Sequence, residues 1–369
     1  MPTELLSPEE RVGQLFWIGF QGTMLDVGLR SLLERVRPGA VILFARNIES
    51  ALQVRRLNDA ITRTLRIPPF IALDQEGGRV NRLKAILGPI APNLALAGRA
   101  DAAEAVARQA GAMARALRGL GFSVNLAPVL DLSGPDPSNG IGDRAFGEDP
   151  NTVCRLARVF VQAHLRSGII PVGKHFPGLG SARADTHLTL PIISKSRHRL
   201  NREDLVPYRR LGRSLPMIMA GHASYPVLQE GPGPATLSRS VIDGLLRRDL
   251  GYRGLIITDD LEMGAVEQEQ GPTSQALAAL AAGNDGLMFC ASREKILEAY
   301  DGVLGALRRG ELDDRRIARA LRKIRALKAR FLGPRHRTRF SREALQRSRR
   351  VLAALGAGDV TGPDPTARI

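Results

Sequence analysis

Asp74, Lys174, His175, His187, His222 and Asp259 are the residues whose types and placing could do chemistry in this chain. Most of them stand at or just past the end of a short apolar run. The densest group lies between Gly173 and Pro191. An apolar lead-in, Gly168 to Val172, closes at Gly173 and runs into Lys174-His175, then a Phe-Pro-Gly-Leu-Gly turn, then Asp185-Thr-His187. Proline and glycine bar a helix there, so one loop is expected to carry a cation, two imidazoles and a carboxylate.

Asp259 is the nucleophile candidate, since it follows an apolar run directly and precedes Asp260. Adjacent residues of a strand point to opposite faces, so one aspartate faces the site and the other is structural. A helix N-cap is the alternative role for Asp259. A carboxylate aimed at hydrogen-bonding groups suits glycosyl transfer through a covalent glycosyl-enzyme. His187 is the acid/base candidate, with Asp185 two residues earlier to hold its ring. An imidazole titrates near neutrality, so it can protonate a leaving oxygen and later deprotonate water. No metal-ligand spacing, nucleophile-elbow serine or reactive-cysteine context is present, so neither metal nor organic cofactor is expected.

The elements that position these residues repeat. Apolar runs at Leu15–Phe20, Ala40–Phe44, Phe70–Leu73, Phe122–Leu126, Ile169–Gly173, Met217–Ala220, Gly254–Thr258 and Gly286–Phe289 alternate with segments of helical spacing. Near-continuous apolar runs fit strands of a parallel sheet buried on both faces. Eight such alternations favour an α/β fold of the closed (β/α)8 TIM-barrel type, in which every C-terminal strand end opens on one mouth. An open doubly wound sheet is the competitor, but it would need a glycine fingerprint after the first strand. Residues 1–307 are assigned to the barrel and 308–369 to an Arg-rich helical extension. Ile317, Leu321, Ile324 and Leu327 of the extension are expected to pack on the barrel wall, and the end from Gly356 onward to be frayed.

At 369 residues, 44% hydrophobic and 24% charged, the composition is that of a globular protein. There is no leader pattern and no apolar run of membrane-spanning length, so a cytoplasmic protein without a membrane partner is expected. The net charge of +16 is concentrated in one stretch: Arg308 to Arg350 holds 17 Lys+Arg against 4 Asp+Glu. That stretch reads as a solvated extension rather than a nucleic-acid surface, and 4% aromatic content is too low for base stacking. A monomer is expected.

The motifs together resemble glycoside hydrolase family 3, and within it the single-domain bacterial β-N-acetylglucosaminidases. They are Gly39 to Asn47 (GAVILFARN), Asp74 to Val80 (DQEGGRV), Asn125 to Asp131 (NLAPVLD), Ile141 to Pro150 (IGDRAFGEDP), Lys174 to Gly180, Asp185-Thr-His187, and Thr258 to Met263 (TDDLEM). The resemblance covers about residues 8 to 300. It implies a retaining mechanism, Asp259 as nucleophile, Asp185 and His187 as acid/base dyad, and Asp74, Arg82, Arg144, Lys174 and His175 as sugar-binding residues. It also implies an N-acetylglucosamine-containing saccharide from peptidoglycan as substrate. One position departs from the family's Lys-His-Phe-Pro-Gly-His-Gly loop, where this chain has Leu179. Phosphorolysis in place of hydrolysis, and a non-catalytic binding barrel, are the alternatives. His222, Arg46, Asn47 and Glu76 can each line the site or support it, and His164, His198 and His336 carry no assignment.

Overall fold

Eight strands form one closed, wholly parallel barrel in the computed structural model, which describes residues 6–134, 140–182, 190–266, 271–333, 338–356 and 364–366. The strands are β1 (Phe16–Ile18), β2 (Ala40–Ile42), β3 (Phe70–Leu73), β4 (Val124–Asn125), β5 (Ile170–Phe176), β6 (Met217–Ala220), β7 (Leu255–Asp260) and β8 (Gly286–Phe289). Each pairs with its neighbours in sequence, and β1 closes the ring against β8 with Phe16 beside Leu287 and Trp17 beside Met288. The apolar residues of all eight are buried, as continuous apolar runs require.

The helices between strands begin where short polar side chains can take up free backbone N–H groups. Ser7 and Glu10 form a reciprocal capping box at the start of Pro8–Gly13. Asp26, Ser50, Asp149 and Ser292 cap Val27–Val36, Ala51–Thr64, Pro150–Arg166 and Arg293–Arg308. The segment Ser240–Asp249, whose spacing predicts an ordinary helix, takes the wider π form. Ten residues are too few for apolar spacing to separate the two periods. At the turn into β2, a Cβ on Gly39 would lie 2.0 Å from the Gln14 carbonyl oxygen, so only glycine lets the chain pass.

Two strands run further than their apolar runs. β5 continues through Lys174 and His175 to Phe176, where the expectation ended it at Gly173, and β7 includes both Asp259 and Asp260. The ladder explains the extra length of β5. Leu130 N–H donates to the Lys174 carbonyl at 2.6 Å, and Gly221 N–H to that of Phe176 at 2.8 Å. A charged side chain does not stop a strand whose backbone bonds are made.

The C-terminal helices do two different things. Asp314–Phe331 buries Ile317, Leu321 and Ile324 in the common core. Part of it lies against the end of the barrel where the strands begin. Lys323 Nζ is 3.1 Å from both Asp285 carboxylate oxygens, just before β8, and Lys328 Nζ reaches Gln14, just before β1, at 2.6 Å. Arg342–Ala354 packs beside the barrel helix Ala102–Gly119 and touches Lys84–Leu87. Among the described residues no helix is long and apolar enough to cross a membrane.

Candidate active site

At the mouth, one cavity of about 30 Å³ is lined by residues from seven strand ends, from the loops after them and from the C-terminal Pro365 and Thr366. Asp74 follows β3, Lys174 and His175 lie in β5, Asp259 in β7, and Arg144 comes from the loop after β4. The fold thus brings together five of the eight residues singled out as catalytic or sugar-binding. Arg82 stands beside this group, but its guanidinium is taken up by Asp364 and Thr366. Asp185 and His187 lie outside the described residues.

Buried ions hold this mouth in shape. Lys174 Nζ sits 2.5 Å from Asp74 Oδ1 and 2.7 Å from Glu76 Oε1. Arg144 grips Glu76 with two parallel bonds of 2.8 and 2.9 Å and donates a third to the Gly140 carbonyl at 3.1 Å. Burial alone would neutralise these groups, but they are paired in both directions. It opposes the charge on Glu76, yet Arg144 and then Lys174 hold that carboxyl far below the carboxylate range. Likewise burial disfavours the Lys174 ammonium, and Asp74 and Glu76 outweigh it and raise its pKa. Glu76, which the sequence left open between loop anchor and site, is the shared counter-ion of two mouth cations.

His175 is held by Asp131, a residue the sequence reading passed over. The Asp131 carboxylate lies 2.6 Å from His175 Nδ1 and accepts the Leu179 N–H at 2.7 Å. The same carboxylate takes the His175 backbone N–H at 3.2 Å. Its position at the end of the Asn125-to-Asp131 motif was the available signal. Leu179, the departure from the family loop, is buried and joins the cavity wall.

Both aspartates of β7 border the cavity, and their surroundings shift them in opposite directions. Burial works against ionising Asp259, but the imidazoles of His175 and His222 and the Lys174 ammonium prevail and hold its pKa below the ordinary value. Burial, reinforced by Glu262, pushes Asp260 well upward. Of the two, Asp259 is the one whose surroundings favour the carboxylate form. His222 supports the strand end, with Nε2 2.9 Å from the Asp260 carbonyl and Nδ1 3.0 Å from Thr236 Oγ1. Asn47 and Arg46 likewise bond backbone carbonyls, at Phe20 and Gly22 and at Phe20 and Cys290. His164 is buried against Phe160, with Nε2 3.0 Å from Asn125 Nδ2, and is not among the residues lining the cavity. Among the described residues no group of three His, Cys, Asp or Glu side chains could hold a metal ion.

Comparison with known proteins gives this geometry a context. The chain is 42% identical to a beta-hexosaminidase of Alkalilimnicola ehrlichii over 285 residues, 76% of this chain and 81% of that one. It is 39% identical to a beta-hexosaminidase of Pseudomonas aeruginosa over 272 residues, 74% of this chain and 81% of the other. Among solved structures, a glycoside hydrolase family 3 beta-N-acetylglucosaminidase from a Paenibacillus species superposes with a TM-score of 0.85 at 33% identity, covering 94% of this chain and 68% of that chain. Native NagZ from Neisseria gonorrhoeae superposes with a TM-score of 0.77 at 27% identity, covering 93% and 97%. The model of the glycosyl hydrolase family 3 N-terminal domain matches residues 7–327. That match runs beyond Leu307 into the helix Asp314–Phe331. With strands, mouth and matched span in agreement, the chain belongs to glycosyl hydrolase family 3.

Proposed function

We propose that this protein is a retaining exo-β-N-acetylglucosaminidase that removes terminal N-acetylglucosamine from peptidoglycan fragments. The observation that carries the reading is the anionic Asp259 carboxylate at the end of β7, on one cavity with Asp74, Lys174, His175 and Arg144. The beta-hexosaminidase relatives support the choice of an N-acetylhexosamine.

In the proposed reaction, an Asp259 oxygen attacks the anomeric carbon while the bond to the leaving oxygen breaks. His187, steadied by Asp185, gives that oxygen its proton. Water then attacks the same carbon, His187 takes its proton, and Asp259 departs as a carboxylate. Asp74 offers two acceptor oxygens to sugar hydroxyls, and Arg82, Arg144 and Lys174 act as donors. Asp131 commits His175 Nδ1, leaving Nε2 for the sugar.

The test is hydrolysis of an aryl N-acetyl-β-glucosaminide. Asp259→Asn is expected to lower kcat by about a thousandfold or more, and His187→Ala to accumulate a glycosyl-enzyme visible as a mass increase. Undiminished turnover by Asp259→Asn would sink the reading. Repeating the assay with phosphate, and looking for a sugar 1-phosphate, separates hydrolysis from phosphorolysis.

A further inference from the structure

The three described residues nearest the C-terminus lie in the mouth. Asp364 pairs with Arg82 through its carboxylate, and the Thr366 hydroxyl meets the other arm of the same guanidinium. The pair is internally braced, because Thr366 donates to Asp364 Oδ1 from its backbone at 2.9 Å and from its hydroxyl at 2.7 Å. Pro365 and Thr366 share the wall of the cavity that Asp259, Lys174 and His175 line. Thr366 is buried there.

The fold delivers the chain to this place. Thr338 is held at the far end of Ala102–Gly119 by Arg118, whose Nε donates to its hydroxyl at 2.7 Å. Arg342–Ala354 then runs back along that helix to Lys84–Leu87, two residues beyond Arg82. The extension thus climbs from the bottom of the barrel to its mouth.

We propose that the C-terminal stretch Asp364–Thr366 is an intramolecular ligand of the sugar pocket that must leave before substrate binds. The inference rests on the reading of the mouth as a sugar site. A carboxylate and a hydroxyl present Arg82 with two adjacent oxygens, the chemistry a sugar ring would offer. With the segment in place, a cavity of about 30 Å³ remains, room for a water or two and none for a hexosamine. The hold is incomplete, since Arg82 Nε has no hydrogen-bond partner among the described residues. Occupancy by the segment scales the apparent affinity for sugar by the fraction of molecules left open.

The experiment compares the full-length protein with its Asp364→Ala and Thr366→Val variants. Asp364→Ala is expected to lower KM for the aryl N-acetyl-β-glucosaminide about fivefold with kcat held within about twofold, and Thr366→Val to move it less in the same direction. Hydrogen exchange of the C-terminal peptide is expected to quicken in Asp364→Ala, and in the wild type when saturated with N-acetylglucosamine. Unchanged KM and unchanged exchange would overturn the proposal. So would a raised KM or a lowered kcat, which would make the segment a wall of the working site. If none of the proteins cleaves the glycoside, the hydrolase reading falls, while the exchange of Asp364→Ala against wild type still decides whether the segment occupies the mouth.

Discussion

Glu76 shows how single residues set the chemistry of the mouth. Its carboxylate is shared by Arg144 and Lys174, and all three side chains are buried. Removing one member of such a group strands the others, which typically costs about 3–5 kcal/mol. Glu76→Gln is therefore expected to lower the unfolding free energy obtained from urea denaturation by that order and to raise KM for the aryl glycoside, because Lys174 and Arg144 lose their common anchor. A variant as stable as wild type would remove Glu76 from this role. The individual residues were only partly legible in the sequence. Asp74, Lys174, His175 and Asp259 stood out because each interrupts an apolar run. Asp131 did not, because its bond to His175 joins residues 44 apart in the chain. Glu76 was visible as a charge, but nothing in a linear pattern says that a glutamate will be buried between two cations.

At the scale of elements, patterning was most informative where burial is simplest. All eight strands lie within or across their apolar runs because a strand covered on both faces needs apolar residues throughout. The ends were harder. β5 carries a lysine and a histidine inside its ladder, and the backbone donors that carry it on, from Leu130 and Gly221, lie far away in the sequence. Close approaches are similarly hidden until the strands are placed. Gly39→Ala illustrates the point: its Cβ would fall 2.0 Å from the Gln14 backbone oxygen. Forcing the turn before β2 apart is expected to cost roughly 1–3 kcal/mol, read as a shift in the denaturant midpoint at unchanged slope. Substitution of the exposed Gly22, which has open space around it but a positive φ of 94°, would instead test backbone strain without a clash.

Across the whole molecule, the extension behaved least as its composition suggested. An Arg-rich stretch reads as solvated, yet Lys328 is buried beside Gln14, with its ammonium 5.3 Å from the centre of the Phe70 ring. Burial pulls its pKa down from 10.5 to about 7. The folded value lies below the unfolded one, so the unfolded chain binds the extra proton between them. Stability from this group is therefore full above the unfolded value and is lost as pH falls toward about 7. Lys328→Met keeps the stem and removes the charge. It is expected to raise Tm at neutral pH by about 2–4 °C and to flatten the rise in stability on the alkaline side. Taking the difference between variant and wild type isolates Lys328 from the buried thiol of Cys290 and the buried tyrosines, whose raised pKa values act there too. The course of the extension from the bottom of the barrel to its mouth was not legible at all, because the contact between Arg82 and Asp364 spans 282 residues and Asp-Pro-Thr has no periodicity to read.

The pairing of β1 with β8 has a bearing on how the chain is made. Phe16–Ile18 cannot find its second neighbour until Gly286–Phe289 has been synthesised. During translation the growing sheet keeps two open margins, each able to capture a strand from another nascent chain. Only when the last of the eight leaves the ribosome does the ring shut, and both margins vanish in the same event.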